Sequence, residues 1–165
     1  MFATDAEETY KRVDRVGMPA VSALVMSTDA YNAADPADDV QDKFIGEIQG
    51  SVGFFHSLLD DDLTGAGLAP CVLASCMAEQ VNPLVLPDTL KIDLGAAAGF
   101  PNGRKPSDPV VDRMLAAELL DWKAPTGCNG KPCSISTLSD LPLNPPANDV
   151  PLGDTFPYLA PPHTP

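Results

Sequence analysis

The sequence predicts a single compact domain of α+β class, or mainly α with short strands, that is loop-rich and proline-rich. Three observations predict it. An apolar fraction of 44% over 165 residues is enough for one core and one domain. Eighteen prolines and twelve glycines interrupt helices and central strands, so much of the backbone must be loop or extended segment. One stretch, 36–59, nevertheless keeps a helical apolar period. The domain is expected to fill 1–165, with an extended C-terminal segment at about 126–165.

Taken in order, Thr4-Asp5-Ala6-Glu7 has the form of a capping box, which predicts a short helix through Val13, with an extended segment as the alternative. Ala20 to Met26 is an uncharged apolar run, read as a strand or buried extended segment. Asp29-Ala30-Tyr31-Asn32 reads as a turn. Asp35 is a good N-cap, Pro36 suits the first helical position, and Asp38 and Asp39 complement the helix dipole. Val40, Phe44, Ile48, Val52, Phe55 and Leu59 then form one apolar stripe. Gly46, Gly50 and Gly53 lie along its flanks, where small residues let another element approach. Asp60 to Gly67 is expected as a loop, and Pro70 as the start of a second helix through about Gln80.

Residues 84–88 are expected to be extended. Leu90, Ile92 and Leu94 alternate with Lys91 and Asp93, which predicts a half-buried strand. Gly95 to Ser107 is a loop with a turn at Pro101-Asn102-Gly103. Asp108-Pro109 opens a last helix carrying Val111, Met114, Leu115, Glu118 and Leu119, ending before Pro125. The helix at 36–59 should pack on the helix at 108–121 and on 20–26 and 90–94.

The formal net charge of −13 disfavours nucleic acid and anionic lipid as partners, since both attract positive proteins. No apolar run reaches the length of a membrane span. The acidic start is no signal peptide, yet four cysteines suit an oxidising compartment. An extracytoplasmic protein whose leader is absent from the chain reconciles the two.

Three stretches carry a resemblance. They are Arg15-Val16-Gly17-Met18-Pro19-Ala20-Val21, then Gly99-Phe100-Pro101-Asn102-Gly103-Arg104 with Asp108-Pro109-Val110-Val111-Asp112, and Phe156-Pro157-Tyr158-Leu159-Ala160-Pro161-Pro162-His163. With Asp29-Ala30-Tyr31-Asn32 and Leu86-Pro87-Asp88, and in this order, they resemble the bacterial family known as domain of unknown function 4331, in its short form or the C-terminal part of its long form. The resemblance implies export from the cytoplasm. It carries no activity, ligand or catalytic residue with it. The chain departs from the pattern at Ser22-Ala23, where many relatives have Asn or Thr.

Cys71 and Cys76, and Cys128 and Cys133, read first as two disulfides, with a four-thiolate zinc site and free thiols as alternatives. Asn129-Gly130 favours a tight reversal, so the expected pairs are Cys128–Cys133 and Cys71–Cys76. The second pair requires the helix to begin after Cys71 or to be irregular there. Asp60, Asp62 and Thr64, with Gly65, partly match a calcium-binding loop, but Cys71 stands where a bidentate Glu belongs; a solvated acidic loop is the plainer reading. Asn102 and Arg104 are candidate contacts for an anion or partner, with Arg104 otherwise pairing with Asp108 or Asp112 to pin its loop. His56 and His163 offer no convincing triad, so no catalytic residue is assigned. Phe156, Tyr158 and Leu159 concentrate apolar surface in four residues and are expected to dock on the core or on a partner.

These features predict an exported non-enzymatic structural or interaction protein. It would serve as a subunit of a larger envelope or extracellular assembly, with other subunits or copies of itself as partners. The alternative is a small-ligand or calcium-binding protein, and a hydrolase stands third. No cofactor is expected unless calcium binds.

Overall fold

The structure, a computed structural model, describes residues 4–139 and 147–163. It is about 40% helical. Among the described residues only isolated β-bridges occur, so the mainly α alternative is the one realised. Residues 140–146 and 164–165 of the expected C-terminal segment lie outside the described residues.

The N-terminal helix is reduced to one 3-10 turn, Glu7–Thr9. The expected strand at 20–26 is instead a single helical turn, α1 (Val21–Leu24). An uncharged apolar run carries no period of its own, and one turn buries Val21 and Leu24 on the same side. The expected turn at 29–32 is helical as well, within α2 (Thr28–Ala33). Its start is capped from a distance, because the Glu47 carboxylate accepts from the Ser27 amide at 2.8 Å and the Ser27 hydroxyl at 2.5 Å. Those two bonds hold the Glu47 carboxyl below its ordinary value.

The long helix expected at 36–59 is divided. Asp35 and Asp38 form the capping box of α3 (Pro36–Val40), with Pro36 in its first turn. The chain then reverses through Asp42 at φ 59° before α4 (Ile45–Gly65) begins. The break exchanges two side chains. Asp39 is turned inward and 2% exposed, while Val40, assigned to the apolar stripe, is 72% exposed. A salt bridge to Arg15 explains the choice, since a buried guanidinium without its carboxylate costs more than one exposed valine. Ile48 and Val52 of the stripe are fully buried as expected. Gly46 and Gly50 face open space, whereas a Cβ at Gly53 would meet Leu73 Cδ2 at 3.2 Å.

The loop expected at 60–67 is helix as far as Gly65, because the amide of Ala66 still reaches the Asp62 carbonyl at 2.9 Å. Leu63 and Leu68 there pack on a second apolar cluster of Ala116, Leu120, Cys128, Cys133 and Leu138. The next helix begins at Leu73, not Pro70. It runs as α5 (Leu73–Cys76), a π-helical stretch (Met77–Val81) and α6 (Asn82–Val85). The π stretch presents Gln80, whose amide donates to the carbonyls of Ala117 and Leu120, both at 2.9 Å, at the end of α7 (Val110–Leu119).

The strand expected at 90–94 is not formed. Its polar groups are satisfied by the 99–103 turn instead of a ladder, with Gly103 donating to Lys91 and Asp93 donating to Asn102 Oδ1. Leu90, Ile92 and Leu94 are consequently exposed. The core lies around α4, which packs on α1, α5 and α7, with Tyr31 edge-on to Phe44 at 5.1 Å.

Candidate functional site

Among the described residues, two buried polar centres stand out. The first joins segments far apart in sequence. Asp88 accepts from the amides of Gly17 (2.9 Å) and Met18 and from the Tyr31 hydroxyl, and its own amide donates to Asp39 at 2.8 Å. Arg15 pairs with Asp39, stands 4.0 Å from Asp88, and lies over the Tyr31 ring at 4.4 Å. Burial, and then the bond to Asp88, push the Tyr31 hydroxyl well above its usual range. Arg15, Gly17, Tyr31 and Asp88 all come from segments that carry the family resemblance, so those motifs meet in space as a structural clasp. Reading the sequence missed this clasp; the signal was charged residues inside otherwise apolar motifs.

The 99–108 loop is an extension of the same clasp. Asn102 spends its side chain on the loop, accepting from Asp93 and donating to the carbonyls of Asp93, Ala96 and Ala97. Arg104 donates to the Gly17 carbonyl, and the cation that faces Asp108 is another one. Pinning of the loop to α7 belongs to Arg113, which donates to Phe100 at 2.6 Å and faces Asp108 at 3.6 Å. Asp108 also accepts from the amides of Phe100 and Lys105. The device was legible and its cation misassigned, because Arg113 sits inside the helix whose start it secures.

The second centre is His56 of α4, 7% exposed. Its Nδ1 meets Asp60 Oδ1 at 2.8 Å, one helical turn on, and its Nε2 meets the Glu118 carbonyl at 3.0 Å. Which nitrogen carries the hydrogen depends on the tautomer, and Asp60 on Nδ1 is an acceptor that fixes one choice. The sulfurs of Cys76 and Cys71 lie 3.8 and 4.0 Å from Nε2. His56, Cys71 and Cys76 are the group among the described residues with metal-ligand chemistry, their ligand atoms lying within 4.8 Å of one another. Glu118 adds a buried carboxyl that burial alone pushes up to about 7. A glutamate within an otherwise apolar helix pattern was the sequence signal for it.

The cysteines stand at disulfide distance in two local pairs, Cys71–Cys76 with Cα atoms 5.9 Å apart and Cys128–Cys133 at 5.1 Å. Each pair closes on itself, so the four-thiolate zinc site is not formed. Asn129 at φ 51° and Gly130 at φ 79° make the expected reversal. Asp60, Asp62 and Thr64 lie on α4. A helix sends positions two apart about 200° round its axis, so Asp62 faces away from the other two and no cation-wrapping loop exists there. His163 is exposed beside Asp149, at 3.4 Å.

Phe156, Tyr158 and Leu159 are not docked on the core; Phe156 is 85% exposed. They occupy a closed turn in which Tyr158 donates to the Thr155 carbonyl at 2.7 Å and Gly153 to the Tyr158 carbonyl at 3.3 Å. The two rings meet edge-on at 6.2 Å. No helix among the described residues is long and apolar enough to cross a membrane. No family model, curated protein or solved structure matches the chain.

Proposed function

We propose that this chain is an exported, non-enzymatic interaction protein of the family its sequence resembles, and that it joins other subunits or its own copies through the Phe156–Leu159 turn. The observation that carries the reading is that turn. It holds two aromatic rings and a leucine in a closed backbone conformation while leaving them exposed. Large rings are the side chains that dominate interface energies, and a preformed turn lowers the cost of ordering them on binding. Two cysteine pairs at disulfide distance are compatible with an extracytoplasmic location. The non-enzymatic part draws support from His56, whose ring nitrogens are both engaged by Asp60 and Glu118.

Native mass measurement tests it. The unaltered chain should form an assembly, and the double variant Phe156→Ser with Tyr158→Ser should lose it while keeping its helix content. A chain that stays monomeric across concentration and retains no partner from its own extracytoplasmic fraction through these residues rejects the reading.

A further inference from the structure

We propose that opening the Cys71–Cys76 bond creates a buried zinc-type metal site made of His56, Cys71, Cys76 and the Glu118 carbonyl. The disulfide and the metal are alternative closures of one gap. A tetrahedral zinc centre with bonds of about 2.0–2.3 Å needs ligand atoms about 3.3–3.8 Å apart. The atoms here already approximate that cage. His56 Nε2 lies 3.8 Å from Cys76 Sγ, 4.0 Å from Cys71 Sγ and 3.0 Å from the Glu118 oxygen, and Cys71 Sγ lies 3.7 Å from that oxygen. The largest lengthening needed is between the two bonded sulfurs, with a few tenths of an ångström more between His56 Nε2 and the Glu118 oxygen. Cys71 precedes α5 and is not held by its helix, so rotation about its Cα–Cβ bond can supply that movement with the Cα atoms left 5.9 Å apart.

Two further features fit a cation. Asp60 on Nδ1 orients the ring and leaves Nε2 to face the ligand position, the carboxylate–histidine–metal arrangement that second-shell carboxylates provide. The Glu118 carbonyl belongs to the last turn of α7, where carbonyls lack helical partners and carry the negative end of the dipole. Cys128–Cys133 has the same sequence separation but is not part of such a group, so it serves as an internal control.

The chemistry balances with a dithiol as reductant. Its two sulfurs give up two electrons and two protons and close into their own disulfide, while the Cys71–Cys76 bond breaks to give two thiols. Metal binding then releases both thiol protons to solvent as the thiolates coordinate. This does not depend on the Phe156–Leu159 reading, since the two sites share no residue.

The test uses the full chain, reduced with a phosphine that is then removed, and Co2+ as a spectroscopic probe with Zn2+ as competitor. The reduced protein should bind one Co2+ with tetrahedral visible bands and a thiolate charge-transfer band, lose both to Zn2+, and release protons on binding. The oxidised protein should bind none. Cys128→Ser with Cys133→Ser should keep the signal, His56→Gln should abolish it, and Asp60→Asn should weaken affinity 10- to 100-fold. A reduced protein without the charge-transfer band overturns the proposal, as does uptake that survives in His56→Gln. If His56→Gln does not fold when reduced, Asp60→Asn decides, and unchanged affinity there overturns it.

Discussion

Gly17 packs its Cα against the backbone of Thr89 so closely that a Cβ would stand 2.4 Å from the Thr89 Cα and 2.5 Å from its nitrogen. Both obstructing atoms are main chain, so no rotamer change relieves the contact. Gly17→Ala should therefore destabilise by about 3 kcal/mol, the upper part of the range for overpacking. Gly50→Ala is the contrast. A Cβ there meets nothing within 4 Å, and alanine in a helix interior should stabilise by about 1 kcal/mol. Urea midpoints of the two variants should move in opposite directions; movement in the same direction contradicts the close approach.

The clasp around Asp88 should behave as a unit. Tyr31→Phe removes one hydroxyl bond to a carboxylate and should cost about 2 kcal/mol. Asp88→Asn removes the charge facing Arg15 and should cost about 3–5 kcal/mol. Because Asp88, Tyr31 and Arg15 touch one another, the double variant should lose less than the sum. Additive losses in denaturant unfolding would mean that these groups stabilise the fold independently.

The clasp also explains which parts of the fold were legible. Several local signals held: Asp35 as N-cap with Pro36 at the first helical position, the helix after Pro109, and the Asn129-Gly130 reversal all appear where the residues place them. The larger failures were non-local. Helical period assigned Val40 to the core, but Asp39 is drawn inward by Arg15, 24 residues earlier in the chain, and the helix breaks at Asp42 to allow it. The alternation at 90–94 read as a strand because period alone does not show whether a partner strand exists. Ile48, Val52 and His56 share one four-residue step, so the burial of His56 was readable; its approach to Cys71 and Cys76 was not, being a tertiary contact between α4 and the segment that leads into α5.

Removing the Cys128–Cys133 closure should have a modest, calculable effect. A loop of this length loses little chain entropy when closed, so Cys128→Ser with Cys133→Ser should cost about 2 kcal/mol. The reversal should persist, since Cys128 and Lys131 exchange backbone hydrogen bonds of 2.9 and 3.1 Å. A shifted denaturant midpoint at an unchanged slope is the expected result. A changed slope would mean that the pair organises more of the chain than its own turn.

Deleting residues 156–165 should leave the melting temperature of the isolated chain within about 2 °C, because small surface changes away from packed groups cost less than about 0.5 kcal/mol. Exposed Phe156 and Leu159 contribute little to their own core. Any assembly built through them should tighten as salt rises, since copies bearing a net charge of −13 repel one another and screening relieves this. A melting temperature that falls by many degrees on truncation would instead place the segment on the core.

Glu118 makes stability depend on pH in a definite direction. Burial pushes its carboxyl up to about 7 from an ordinary value of 4.5. Between those values the folded chain keeps a proton that the unfolded chain has released. The folded state therefore binds more protons, and stability must fall as pH rises through this window. Below it the carboxyl is neutral in both states and costs nothing; above it the charged form is buried and the penalty is complete, about 3 kcal/mol. Glu118→Gln keeps the shape and removes the titration. Urea midpoints at pH 5 and pH 8 should separate for the unaltered chain more than for the variant, with the variant the more stable at pH 8. Comparing the two chains cancels the contributions of other titrating groups. If their pH profiles run parallel, the Glu118 carboxyl is solvated in the folded protein and does not titrate near 7.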